Sequence, residues 1–170
     1  MIRILVLAML AAFLCGCRPI EVPVWETVTD DVLETASYME DAYTITLGVP
    51  KDAVEDEVTR NRRVYRHVDG DYKIYTQVYL AASPESAVRQ LTGFEMEQLC
   101  VIETTRFGLP EYRFTWYDAE ETALCRADLL IDETVCYAVV FAVQESAGGA
   151  YNQLVTEVFS TFGLYFDEGV

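Results

Sequence analysis

The stretch Thr134-Val135-Cys136-Tyr137-Ala138-Val139-Val140-Phe141-Ala142-Val143 is apolar at almost every position. Its β-branched and aromatic content reads as a strand, and the lack of alternation means that both faces are covered. A layer is therefore needed on each side. The following segment supplies one: Tyr151, Leu154, Val155, Val158, Phe159 and Phe162 recur at helical spacing, from a Gly148-Gly149 entrance to a Gly163 stop. One broad apolar helical face must then pack on the sheet.

Upstream, Thr122 to Ile131 forms the preceding strand, joined through Asp132-Glu133. Leu99 to Arg106 and Tyr112 to Asp118 give another antiparallel pair across Gly108-Leu109-Pro110. Arg62 to Val68 and Tyr72 to Ala81 form a hairpin about Asp69-Gly70, because Asp-Gly suits the positive backbone angles of a tight turn. The second strand of this hairpin puts Tyr72, Ile74, Val78 and Leu80 on one face and Lys73, Tyr75, Gln77 and Tyr79 on the other. Ser83-Pro84-Glu85 starts a helix with a capping serine, a first-turn proline and an early glutamate. Ala87, Val88 and Leu91 form its buried stripe, and Gly93 ends it. Nearer the N-terminus, Tyr43, Ile45, Leu47 and Val49 alternate before Pro50, and Val22 to Val28 forms a leading strand weakened by Pro23. The expected architecture is α+β: a twisted antiparallel sheet of six or seven strands with two packed helices.

Three parts of this pattern resemble the Mog1/PsbP-like group of α/β/α sandwiches. They are Thr44-Ile45-Thr46-Leu47-Gly48-Val49-Pro50, the hairpin with its Ser83-Pro84-Glu85 helix, and Tyr137-Ala138-Val139-Val140-Phe141 leading to the helix from Tyr151 to Phe162. The resemblance spans residues 40 to 165. It implies binding or assembly roles and transfers no catalytic residue.

At the N-terminus, Arg3 precedes an apolar run from Ile4 to Leu14, too short to span a bilayer and built like an export signal. Leu14-Cys15-Gly16-Cys17 resembles the bacterial lipobox, with cysteine where alanine or serine is more usual. The resemblance implies cleavage before Cys17 and lipidation of Cys17, with two acyl chains holding the protein on a membrane. Residues 1 to 16 are then the signal, residues 17 to 26 a lipidated tether containing Pro19 and Pro23, and residues 27 to 170 a single domain. An ordinary secreted protein and an uncleaved anchor are the alternatives.

The formal charge of −16 argues against nucleic acid, whose phosphates require a positive surface. Signal removal takes Arg3 and no acidic residue, so the mature chain is one charge more negative. Arg60, Arg62, Arg63 and Arg66 interrupt this acidity. Strand alternation splits Arg62 and Arg66 from Arg63 and His67, which favours internal charge balance over a single anion site. Tyr75, Tyr79, Tyr112, Trp116 and Tyr117 are candidates for an aromatic partner surface or for core packing. The candidate contact surface is accordingly Arg62, Arg63, Arg66, Tyr75, Tyr79 and Trp116.

His67 reads as a hairpin histidine, since no carboxylate partner is evident from the sequence. Cys100, Cys125 and Cys136 allow at most one internal disulfide, and small buried thiols are the simpler reading. An Asp132-Glu133 turn would set Cys125 opposite Val140 and Cys136 opposite Leu129, an offset that disfavours a bridge between them. Two acidic groups suggest calcium, Asp52 with Glu55, Asp56 and Glu57, or Asp128 with Asp132 and Glu133. Neither has the glycine and final glutamate of an EF-hand loop. No nucleophile elbow, metal helix, phosphate loop or dinucleotide pattern is present, so no cofactor or catalytic residue is expected.

These readings converge on a lipid-anchored extracytoplasmic binding or assembly domain. Its partners would be the membrane, through the lipid, and an envelope protein, a peptide or a glycan. A structural or stress-related envelope lipoprotein without a ligand pocket is the alternative, followed by a hydrolase with an unconventional site.

Overall fold

A computed structural model describes residues 26–30, 43–59 and 61–165. Among these residues, ten strands and two helices follow in chain order: β1 (Glu26–Asp30), β2 (Thr44–Val49), β3 (Ala53–Val58), β4 (Arg62–His67), β5 (Tyr72–Leu80), α1 (Pro84–Thr92), β6 (Ile102–Arg106), β7 (Leu109–Asp118), β8 (Ala123–Asp132), β9 (Val135–Gln144), α2 (Asn152–Thr161) and β10 (Gly163–Tyr165). Single 3-10 turns lie at Met96–Gln98 and Glu145–Ala147.

Seven strands form one antiparallel sheet in the order β3-β4-β5-β9-β8-β7-β6, and β1-β2-β10 form a second, smaller sheet. Strand β9 is central, as its composition requires. Tyr137, Val139, Phe141 and Val143 enter one core with Ile45, Leu47 and Val49 of β2 and Leu154, Val158, Phe159 and Phe162 from the α2 region. Cys136, Ala138, Val140 and Ala142 enter the opposite core with Ala87 and Val88 of α1. The second core alternates scale: alanines 123, 127, 138 and 142 on β8 and β9 leave room that Tyr75, Tyr79, Tyr112, Phe114 and Trp116 fill from neighbouring strands.

Helix α1 begins as its sequence demands. The Ser83 and Ser86 side chains cap one another's backbone N–H groups, and Gly93 closes the helix at φ 79°. The chain then crosses to the far edge, where β6 starts at Ile102 rather than Leu99, because the Met96–Gln98 turn occupies the approach. The β6–β7 turn is Phe107-Gly108, at φ 55° and 81°, so Leu109 and Pro110 belong to β7 instead of the loop.

Strand β3 was not expected. Its Ala-Val-Glu-Asp-Glu-Val sequence reads as a solvated acidic segment, yet it pairs with β4 as an edge strand carrying a bulge between Glu55 and Glu57. Charge and a bulge both suit an edge that must not recruit another strand. Strand β10 was also missed: Gly163 opens a short strand against β2 immediately beyond α2. The leading strand runs over Glu26–Asp30, and residues 22–25 lie outside the described residues.

The β8–β9 turn is shifted by one residue. Asp132 pairs with Val135, setting Cys125 opposite Ala142 and Cys136 opposite Ile131. A one-residue change in the turn moves the cross-strand register by two, so both cysteines keep their common face. Both thiols are free and buried, and burial pushes each up to about 12, leaving them protonated and inert at neutral pH. Cys100 is free and exposed.

Candidate functional site: an arginine-lined cleft

Beside α2, three strands bring charge onto a face that is otherwise apolar. In strand geometry, residues two apart share a face, so Glu111 and Arg113 of β7 point the same way, as do Arg126 and Asp128 of β8. Register then sets Arg113 directly opposite Asp128 and Glu111 opposite Leu130. Edge strand β6 adds Arg106. The result is a polar cleft of about 340 Å³, walled by these five side chains, Thr104 and Thr105 of β6, and Thr156, Phe159 and Ser160 of α2.

Its two carboxylates are inaccessible, Glu111 at 0% and Asp128 at 1% exposure. Arg113 donates to Glu111 Oε2 at 2.8 Å, and Arg106 reaches Glu111 Oε1 at 3.4 Å. Arg106 also donates to the Phe159 carbonyl at 3.3 and 3.4 Å, joining the sheet edge to the last helix. Asp128 is less well served. Arg113 Nε, Arg106 Nη1 and Arg126 Nη2 lie 3.7, 3.8 and 3.9 Å from its oxygens, outside hydrogen-bond length. Asp128 Oδ1 and Arg113 Nε are both buried without a hydrogen-bond partner among the described residues. The Arg126 guanidinium lies over the Phe159 ring, 4.4 Å from its centroid, a cation–π contact at the cleft wall. Three guanidiniums against two carboxylates leave a positive excess in a strongly acidic chain.

Burial pushes Asp128 up from 3.8 to about 6; the arginines oppose that rise and Glu111 adds to it. The folded state therefore holds this proton more tightly than the unfolded chain does. The resulting stabilisation is complete below the ordinary carboxylate value and is lost as pH rises through about 6. We expect the stability advantage of wild type over Asp128→Asn to be larger at about pH 4.5 than at about pH 7, by on the order of 2 kcal/mol. Urea unfolding at the two pH values measures it, and equal differences would refute the assignment.

The surface expected from sequence lies elsewhere and is dispersed. Tyr75, Tyr79 and Trp116 are buried in the core under α1, so they present no exposed aromatic surface. The Tyr79 hydroxyl donates to the Ala87 carbonyl at 3.0 Å, and burial raises its pKa. Arg62 stacks over Tyr75 at 4.6 Å, exposed Arg66 pairs with Asp56 at 3.1 Å, and Arg63 is half-buried on the other face. Arg60 lies outside the described residues, as does Cys17.

His67 departs from the sequence reading. It is 8% exposed, with Nε2 3.5 Å from Asp52 and Nδ1 3.8 Å from Asp71. Its ring stacks on Tyr72, while the Tyr72 hydroxyl donates to Asp52 at 2.5 Å and Tyr151 donates to Asp71 at 2.6 Å. The carboxylates that sequence did not supply arrive from the β2–β3 turn and the β4–β5 turn. As for calcium, Asp52 and Asp56 are engaged by Tyr72 and Arg66, and among the described residues no acidic, histidine or cysteine group is placed to hold a metal ion.

Sequence inspection also missed the cleft, although its signal was present. Glu-x-Arg on one strand and Arg-x-Asp on the next place charges at positions where the sheet should present apolar side chains.

No protein-family model and no curated protein sequence matches the chain. Among solved structures, the solution structure of cyanobacterial PsbP (CyanoP) from Synechocystis sp. PCC 6803 is similar, with TM-score 0.56 at 11% identity over 89% of this chain and 99% of that one. A crystal structure from Bacteroides thetaiotaomicron gives TM-score 0.47 at 13% identity, over 74% of this chain and 46% of that one. What the chain shares with the cyanobacterial protein is the fold, the Mog1/PsbP-like α+β sandwich of a twisted antiparallel sheet packed against helices.

Proposed function

We propose that this protein is a lipid-anchored extracytoplasmic binding or assembly domain that engages its ligand or partner through the cleft bounded by β6, β7, β8 and α2. The observation that carries the reading is the gathering of Arg106, Arg113 and Arg126 around two buried carboxylates, with donor and acceptor atoms left unpaired. A purely structural ion network would be expected to satisfy those atoms internally. The lipobox-like Leu14-Cys15-Gly16-Cys17 supports the anchor, and the PsbP-like fold is compatible with an accessory role.

Intact-mass analysis of the mature protein should find a chain beginning at a diacylglyceryl-modified Cys17, and the Cys17→Ala variant should lack that mass. An unmodified wild-type Cys17 would end the anchoring proposal. Native capture from envelope extracts should enrich a specific partner or ligand with the wild type and lose it with Arg113→Glu. Undiminished enrichment with that variant would remove the cleft from the proposal.

A further inference from the structure

Resting on that reading of the cleft, we infer that its ligand is a polyhydroxylated acid about the size of one sugar residue, bearing a carboxylate or a phosphate. A cavity of about 340 Å³ lies at the small end of the range for ligand pockets, roughly 300–1,000 Å³. Its lining is unusual for such a pocket, because Phe159 supplies the one large apolar side chain among ten residues. A greasy ligand would find little to bury.

Three separate features fix the ligand chemistry. The first is unspent guanidinium capacity. Arg126 makes no contact shorter than 3.9 Å with Asp128 and lies over the Phe159 ring, and Arg113 is partly exposed at the cleft. Planar donors of this kind suit the paired oxygens of a carboxylate or phosphate. The second is the loose pairing of Asp128, whose oxygens stay 3.7 to 3.9 Å from three guanidiniums, so these donors remain free to take further acceptors from a ligand. The third is the row of hydroxyls. Thr156 donates to the Asn152 carbonyl at 3.1 Å and Ser160 to the Glu157 carbonyl at 2.6 Å. With their protons committed to the helix, both oxygens at the cleft wall keep acceptor capacity for ligand hydroxyls. Acid at one end and hydroxyls around a compact body satisfy all three.

Isothermal titration of the mature protein in detergent, at about pH 7.5, tests this with four probes: glucuronate, glucose 6-phosphate, glucose and cyclohexanecarboxylate. Glucuronate, glucose 6-phosphate or both should bind with Kd on the order of 0.1–1 mM. Binding of the first alone assigns a carboxylate, and binding of the second alone a phosphate. Glucose, lacking the charge, and cyclohexanecarboxylate, lacking the hydroxyls, should each bind at least about tenfold more weakly. Arg126→Gln should weaken the acid at least about tenfold, and Arg126→Lys should restore part of the loss because charge returns without the planar fork. Absence of binding by both acids overturns the inference, as does equal binding of glucose or of cyclohexanecarboxylate. If both acids fail while capture from envelope extracts still depends on Arg113, the sugar-acid inference falls and the binding reading stands.

Discussion

Replacing Phe141 by alanine is expected to destabilise the protein by about 4 kcal/mol. The residue is 1% exposed at the middle of β9, and its ring lies 5.0 Å from that of Tyr72. It packs in the core shared by the large sheet, β2 and α2. Truncation removes the transfer free energy of the ring and leaves a cavity whose walls belong to three separate elements, so collapse can recover little. Val140, one residue away, faces the opposite core among alanines, and Val140→Ala should cost about 1–2 kcal/mol. Urea unfolding followed by tryptophan fluorescence gives both values. A Phe141→Ala loss below about 1 kcal/mol would contradict the two-sided core.

The second large effect concerns Glu111. It is fully buried and accepts from Arg113 and Arg106, so Glu111→Gln leaves two guanidiniums with a neutral partner that cannot serve both. Removing one member of a buried pair commonly costs about 3–5 kcal/mol. Arg113 is 42% exposed and can regain water, which reduces the expectation here to about 2–3 kcal/mol. The same substitution has an electrostatic signature that a packing defect would lack. Glu111 helps to raise Asp128, so its neutralisation should move the Asp128 titration below about 6. Carboxyl NMR resonances followed through a pH series read this shift directly, and an unmoved Asp128 would show that the two carboxylates do not sense one another.

Much of the fold was legible because it is written in local patterns. The two-sided strand, the helix after it, the Asp-Gly hairpin and the Ser83-Pro84 cap each involve near neighbours in sequence, and each is present. The misreadings share a different origin. Strand β3 is specified by pairing with β4, not by apolar alternation, and β10 by a distant partner in β2. The cleft is harder still to see. Arg106, Glu111, Arg113, Arg126 and Asp128 become one site only once the β6–β7–β8 register is known, and Phe159 and Ser160 join it from another layer. Conversely, the Arg62 to Arg66 cluster was conspicuous because its members are adjacent in sequence, and strand alternation sends them to opposite faces.

The ties between chain ends bear on how this molecule forms. The Gly48 N–H donates to Thr161 Oγ1, the Tyr43 N–H to the Tyr137 hydroxyl, and β5 finds its second neighbour only in β9. A nascent chain synthesised only as far as Thr134 would hold β2 without β10, β5 without its central partner and one apolar face without α2. Most of the ordering entropy falls due before these remote contacts are available, which makes for slow, late commitment to the native state. Until synthesis reaches α2, the growing polypeptide therefore carries unpaired strands and an uncovered apolar face, the features that make partly folded chains prone to aggregate.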